Sequence, residues 1–414
     1  MSDLPLPFLP PSSVGFDPQR LQRITATIEA DVAAKHLPGA VILIARRGAL
    51  AFAEAYGYRD SARGIPMTLD SIFRIFSMTK PLTAVAALVL AEEGRLQLTQ
   101  PVQEILPGFS PDSVCTPCWP ADEGGHDRLA PLARGVTVYD LLTHCAGLPY
   151  GAWSDNNGVR EAHGRLNLGV NPRDLEPADF LRRLSAAPLA QQPGRFWQYG
   201  LASDVLGLVV EQVAGERLGT FLGSHLFAPL RMSDTGFNVP PEMRSRVAEP
   251  FPADPLTGQR LRHPDQTFDP VAVPQMDAGG AGAVSTAGDY LRFANMLLQC
   301  GRHNGTHVLS SAMVRLMTSD HLGVRAATAL TPGEAAMQSP GYGFGFGVAV
   351  RLADGGAAVP GSAGDYFWSG TAGTVFWVDP REQLAVVFMT QAPGAMRLRY
   401  RRLSRQLVYQ AIVS

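Results

Sequence analysis

Ser77-Met78-Thr79-Lys80 sets a hydroxyl three residues before an amine, and Pro81 follows at once. Proline suits the first turn of a helix, where backbone N–H groups have no helical partner, so the spacing predicts a helix starting at Ser77. Residues three apart share one face of that turn. The positive end of the helix dipole lies at the serine, where it favours developing negative charge. The body that follows, Ala84 to Ala91, is apolar all round, which predicts a central, buried helix. A lysine at the mouth of such a core loses solvation, which favours its neutral form and lets it act as a base on a nearby hydroxyl. The chemistry on offer is nucleophilic attack by Ser77. The same residues admit a plainer reading, a capping serine beside a solvated lysine.

Lysine usage sharpens the first reading. Of 35 basic residues only Lys35 and Lys80 are lysines, and the other 33 are arginines. A lysine can give up its proton in a suitable site, whereas an arginine effectively cannot. No serine stands in G-x-S-x-G, so the nucleophile elbow of the α/β-hydrolases is absent. His144 has no activated serine motif beside it and reads as a structural histidine at a helix end. Cys115-x-x-Cys118 has only His126 nearby and no second pair at ligand spacing, so two free loop thiols are expected and no metal.

The elements that must position Ser77 and Lys80 come from both ends of the chain. Asp17-Pro18 is a helix start, and Leu21, Ile24, Ile28 and Val32 continue it to Pro38-Gly39. Val41 to Ala45 and Ala49 to Ala55, joined by Arg46-Arg47-Gly48, predict a β-hairpin. Tyr342 to Val350, Thr374 to Val378 and Leu384 to Thr390 predict further strands, with a turn at Asp379-Pro380. A last helix puts Tyr400, Leu403, Leu407 and Ala411 on one face, and Arg401, Arg402 and Arg405 on the other, read as solvated. Between these ends Ala84 to Glu93, Ala202 to Val213 and Thr286 to Leu298 are helical, while Pro107 to Gly135 and Pro250 to Gly282 are loop excursions. The expected class is α/β (α+β): an antiparallel sheet from both termini, flanked by the terminal helices, with a mainly helical lobe inserted. The boundaries expected are 1–75 with 280–414 for the sheet domain, and 76–279 for the helical one.

Composition excludes several partners. The chain has 414 residues, 46% of them hydrophobic and 17% charged, with a formal net charge of −2, which argues for a large core and against disorder. No strong field favours nucleic acid or an anionic membrane. Ala84 to Ala91 spans 8 residues, far short of the roughly 20 that cross a bilayer. The Pro-rich start to Ser13 has no cation before Arg20 and no apolar core, so no secretory signal is expected and the chain reads as cytoplasmic.

Two further motifs fall in order after the first: Tyr199-Gly200-Leu201-Ala202-Ser203 and Trp368-Ser369-Gly370-Thr371. Together with Ser77-x-x-Lys80 they resemble the serine β-lactamase and penicillin-binding superfamily, most of all its esterase branch, the family VIII carboxylesterases. Leu141 to Leu148 and Gly279 to Thr286 are also similar to superfamily segments, so the likeness runs along nearly the whole chain. The resemblance implies a β-lactamase-like fold with the active site at the domain interface. It makes Ser77 the nucleophile, Lys80 and Tyr199 its joint proton acceptors, and the backbone N–H groups of Ser77 and Thr371 the oxyanion hole. Trp368 and Gly370 would contact substrate and Tyr150 would stand at the pocket rim. On position alone Tyr199 is also readable as an ordinary aromatic beside Phe196 and Trp197, and Trp368 as a packed strand residue.

One departure decides the expected subclass. β-Lactamases and DD-peptidases usually carry K-T-G where this chain has Trp368-Ser369-Gly370, and neither lysine here is followed by Thr-Gly. Tryptophan in place of that lysine offers an apolar wall suited to neutral esters. Ser154-Asp155-Asn156 spells a class A motif but precedes Tyr199 and reads as a loop coincidence. The expectation is a serine carboxylesterase acting on short-chain acyl esters, with no cofactor. β-Lactamase or peptidase activity, an acyltransferase, and a non-catalytic penicillin-binding-like scaffold are the rivals. No motif encodes the natural substrate or the oligomeric state.

Overall fold

A computed structural model of the chain describes residues 4–116, 128–154, 156–260, 267–323, 340–394 and 396–413. Strands β1 (Gly39–Arg46) and β2 (Ala49–Asp60) form the expected hairpin. Its two-residue loop holds Arg47 at φ 53° and Gly48 at φ 79°, both left-handed, as a tight turn matched to strand twist requires. The remaining strands of the large sheet are β3 (Ile65–Pro66), β4 (Tyr342–Phe344), β5 (Ala349–Arg351), β6 (Tyr366–Ser369), β7 (Val375–Asp379) and β8 (Leu384–Thr390). Their order is β4-β5-β6-β7-β8-β1-β2-β3, antiparallel throughout. β8 lies directly against β1, from Ala40 opposite Thr390 to Arg46 opposite Leu384.

Alternation along β1 splits the core in two, because successive side chains point to opposite faces. Ala40, Ile42 and Ile44 pack with Leu21, Ile24 and Ile28 of α1 (Pro18–Ala33) and with Tyr400 and Val408 of α5 (Met396–Tyr409). Val41, Leu43 and Ala45 face α4 (Ala287–Leu298) and belong to the larger core cluster, which continues into α2 (Thr79–Glu92) and α3 (Ala202–Ala214). Asp17 caps α1 by accepting from the N–H groups of Gln19 and Arg20, with Pro18 in the first turn. Ile72–Arg74 pairs with Val284–Thr286 in a separate short ladder, which fixes the chain just before Ser77. Among the described residues no helix is long and apolar enough to cross a membrane.

Two expectations are corrected. Tyr342 to Val350 is not one strand. Gly345 and Gly347 turn the chain between β4 and β5, and a Cβ at Gly345 would stand 2.2 Å from the Met317 carbonyl. The arginine face of the last helix is also not solvated: Arg402 is exposed, Arg401 is half-buried and Arg405 is buried. Arg405 donates to Asp365 at 3.0 and 3.1 Å, Arg351 donates at 2.6 Å, and the Tyr342 hydroxyl donates at 3.0 Å. This fully buried carboxylate anchors α5 to β4 and β5, and it supplies the counter-charge for two buried guanidiniums.

Removing that carboxylate strands both cations, and breaking a buried pair from one side typically costs about 3–5 kcal/mol. Asp365→Ala is therefore expected to lower the urea-unfolding free energy by that amount. Arg402→Ala at the exposed position should stay within about 0.5 kcal/mol.

Candidate active site

Ser77 stands at a corner forced by its neighbour. Phe76 is buried and adopts φ 44°, a left-handed conformation that costs a non-glycine residue about 1–3 kcal/mol. It turns the chain from the Ile72–Arg74 strand into a 3₁₀ turn, Phe76–Met78, and the regular helix begins at Thr79 rather than at the expected Ser77. The Ile75 N–H donates to Ala283 and the Tyr290 hydroxyl donates to the Met78 carbonyl at 2.7 Å, so both flanks of the corner are pinned. Pro81 falls in the first turn of α2, where its missing N–H leaves no bond unmade.

Lys80 is 0% exposed. Its Nζ donates to the Gly280 carbonyl at 2.7 Å, to the Tyr150 hydroxyl at 3.0 Å and to Ser77 Oγ at 3.4 Å. An ammonium has three donors and no acceptor, so these contacts use all of them. When the amine is neutral, two N–H groups suffice for Gly280 and Tyr150, and the freed lone pair faces Ser77.

Two tyrosines enclose this amine. Lys80 Nζ lies 4.6 Å from the centroid of the Tyr199 ring and 5.5 Å from that of Tyr150. The segments carrying them run antiparallel, with Leu201 N–H donating to Leu148 and Tyr150 N–H to Tyr199. Gly200 permits this approach, because a Cβ there would stand 2.0 Å from the Leu148 carbonyl. The Tyr199 hydroxyl is buried and has no hydrogen-bond partner among the described residues, so it is Tyr150, read from sequence as a rim residue, that bonds Lys80. His144 is buried against the Tyr199 ring at 5.0 Å, its Nε2 3.3 Å from Ser203 Oγ, and burial holds it well below its ordinary pKa and hence neutral. Trp368 packs at 5.3 Å from Tyr199 and 5.2 Å from Phe344.

Asp204 was missed in the sequence. It lies wholly buried in the first turn of α3, accepting from the Gly280 N–H at 2.9 Å, while the Gly280 carbonyl holds Lys80. One residue, Gly280, thus separates the buried carboxylate from the buried amine. Burial pushes Asp204 up to about 6, against the pull of Lys80's positive charge. Gly280 has no room for a side chain, since a Cβ would stand 2.4 Å from Asp204 Oδ2. The legible signal was a carboxylate directly ahead of the apolar run from Val205 to Val210.

β6 brings the third motif to Ser77. A Cβ at Gly370 would meet the Ile75 carbonyl at 2.3 Å, so only glycine lets this strand end close on the corner. The N–H groups of Ser77 and Thr371 donate to no acceptor among the described residues. A cavity of about 220 Å³ opens here, lined by Ser77, Trp153, Ser369, Thr371, Arg397 and Arg401 among others. A hollow of about 700 Å³ around Arg217 and Arg231 lies elsewhere and presents no lysine, histidine or tyrosine. Cys115 and Cys145 are buried and Cys300 is exposed, while Cys118 and His126 lie outside the described residues. Asn156 caps the helix Asn157–Arg165, and Asp155 of the same tripeptide is likewise outside the described residues.

The model of the family described as Beta-lactamase matches residues 24–410. The chain belongs to the Beta-lactamase family. Esterase EstB of Burkholderia gladioli is 34% identical over 401 residues, 92% of this chain and 93% of EstB. A Penicillium rubens protein named lovastatin esterase is 28% identical over 392 residues, 88% and 92% of the two chains. Among solved structures, EstCE1, described as a hydrolase with promiscuous acyltransferase activity, superimposes with a TM-score of 0.76 at 28% identity, covering 94% of this chain and 99% of its own. Relatives bearing esterase names and a hydrolase structure thus align over most of the chain, and this member is a serine hydrolase of that fold.

Tyr150→Phe removes one of the three acceptors around the Lys80 amine and should lower kcat for ester hydrolysis by about 100-fold, the low end of general-base contributions, and the buried N–H left unmet should cost about 1–3 kcal/mol in urea unfolding. Asp204 titrates higher in the fold than in the unfolded chain, so its contribution to stability is greatest at low pH and is lost as pH rises from about 4 to about 6. The stability of the native protein relative to Asp204→Asn should therefore fall across that window and level off above it, read by urea titration at each pH.

Proposed function

We propose that this protein is a serine carboxylesterase that hydrolyses short-chain acyl esters through an acyl-enzyme on Ser77, with Lys80 and Tyr199 as its proton-transfer partners. The observation that carries the reading is the fully buried Lys80 amine, bonded at once to Ser77 Oγ, Tyr150 and the Gly280 carbonyl.

In this reading Lys80, held between the two tyrosines, takes the Ser77 proton as Oγ bonds to the ester carbonyl carbon. The carbonyl π electrons move onto oxygen, where the free N–H groups of Ser77 and Thr371 receive the charge, and loss of one such donor typically costs about 3 kcal/mol. Collapse of the tetrahedral intermediate breaks the ester C–O bond, and the Tyr199 hydroxyl passes a proton to the departing alcohol oxygen. Water then attacks the acyl carbon and loses its proton to the Tyr199 phenolate, and as the intermediate collapses the Lys80 ammonium returns its proton to Ser77 Oγ, which frees the carboxylic acid and restores both groups. The cavity of about 220 Å³ is smaller than the 300–1,000 Å³ of drug-sized sites, which favours short acyl and alcohol groups. The sheet residues 1–75 and 280–414 and the helical residues 76–279 form the two walls of the cleft in this reading.

EstCE1 adds a second outcome, since its description pairs hydrolysis with acyl transfer. The same acyl-enzyme, met by an alcohol in place of water, gives a new ester. Ser77→Ala should abolish turnover of 4-nitrophenyl acetate and butyrate while the protein stays folded. Mass spectrometry of the native enzyme should find the short acyl group on Ser77. Retained turnover in Ser77→Ala, or an adduct elsewhere, would overturn the assignment. An added alcohol that outruns water for the acyl group would make the protein an acyltransferase.

A further inference from the structure

Arg397 and Arg401 lie one turn apart on α5 and both line the cavity that opens on Ser77. Arg397 Nη1 donates to Thr371 Oγ1 at 2.9 Å and more weakly to its carbonyl at 3.4 Å. Arg401 Nη2 donates to the Gly370 carbonyl at 2.7 Å, and its Nε is buried without a partner among the described residues. A guanidinium has five N–H donors, so most of theirs remain unspent. Other arginines of the same helix have carboxylates: Arg399 pairs with Asp31 and Arg405 with Asp365. No ion pair joins Arg397 or Arg401 to a carboxylate among the described residues.

Two enclosed cations side by side, without a counter-ion, oppose each other. Burial first, and then the charge of Arg397, pushes Arg401 down to about 9, which leaves it cationic at neutral pH; burial lowers Arg397 as well, a guanidinium being a permanent cation in proteins. An anion between them would remove that repulsion and take up the unspent donors, and a planar carboxylate matches the guanidinium fork. The apolar wall expected from tryptophan is not what faces the cavity: Trp368 is buried behind it, on Tyr199 and Phe344, while the arginines line it.

We propose that Arg397 and Arg401 form a carboxylate-binding subsite in the ester pocket, and that the esters this enzyme cleaves best carry a free carboxylate. This replaces the neutral-ester expectation and rests on Ser77 being the nucleophile. The carboxylate can enter on the acyl side, as in a half-ester of a dicarboxylic acid, or on the alcohol side.

The test compares kcat/KM for mono-4-nitrophenyl glutarate with that for 4-nitrophenyl pentanoate (acyl arm), and for carboxymethyl butyrate with that for ethyl butyrate (alcohol arm). Tenfold or greater preference for the acid-bearing ester is expected in one arm and names its side. In Arg397→Gln and in Arg401→Gln the acid-to-neutral ratio should fall at least tenfold through KM, with Arg401→Lys restoring part of it. A purely structural role for these side chains, holding Gly370 and Thr371, would lower both esters alike and leave the ratio unmoved. A native enzyme that prefers the neutral ester in both arms, or variants with an unchanged ratio, overturns the proposal. Should the variants fail to fold, competition in the native enzyme decides: glutarate should inhibit at least tenfold more tightly than neutral glutaramide, and equal inhibition refutes the subsite. Calorimetry of glutarate on Ser77→Ala separates the two readings, because binding persists there whether or not Ser77 proves to be the nucleophile.

Discussion

A primary amine removed from water is tolerable only where every one of its hydrogens finds an acceptor, and much of this site follows from meeting that demand at Lys80. Gly280 must present its carbonyl, so it must lie close to α2. Its own N–H is met by Asp204, which brings a carboxylate within one residue of the amine. Tyr150 must leave its loop and reach inward, and the bridge between its segment and that of Tyr199 sets both rings around the amine. Ser77 completes the shell, so the group that accepts the last N–H is also the one to be activated. Glycines at 200, 280 and 370 recur because each brings backbone close to backbone or carboxylate where no methyl group fits.

The arginines extend the same electrostatic logic outward. This chain has almost no lysine, and it places its permanent cations where anions or carbonyls are fixed. Asp365 neutralises two of them in the interior. Among the described residues Arg397 and Arg401 donate only to carbonyl and hydroxyl oxygens of the Gly370-Thr371 turn. The contrast within one helix separates charge that builds the fold from charge left facing the cavity.

Features with a local cause were readable in the sequence. Asp17 before Pro18 starts a helix wherever it occurs, Arg47-Gly48 closes a hairpin, and an apolar stretch such as Ala84 to Ala91 has to be buried. The pairing of strands from residues 39–60 and 342–390 followed from their hydrophobic runs. What depended on distant contacts was not readable. The inward reach of Tyr150 depends on a strand-like bridge to Gly200, and the burial of Arg405 depends on Asp365, forty residues away. Alternating Gly and Phe in Gly343 to Gly347 imitated a strand, but the glycines are used for a turn. Phe76 gave no sign of its left-handed backbone, since nothing in its side chain favours it.

β1 and β8 are neighbours at the middle of the sheet although Ala40 and Thr390 are 350 positions apart. Closing such a long loop is slow, and contacts of this range form late in folding. On the ribosome the hairpin of residues 39–60 emerges early and waits, with one edge unpaired, until residues 384–390 arrive. The turn at Gly370-Thr371 and the arginine-bearing helix come from the same late stretch. The reactive hydroxyl therefore acquires its surroundings only after residues 370–401 have been made, and until then the hairpin keeps an unfilled strand edge.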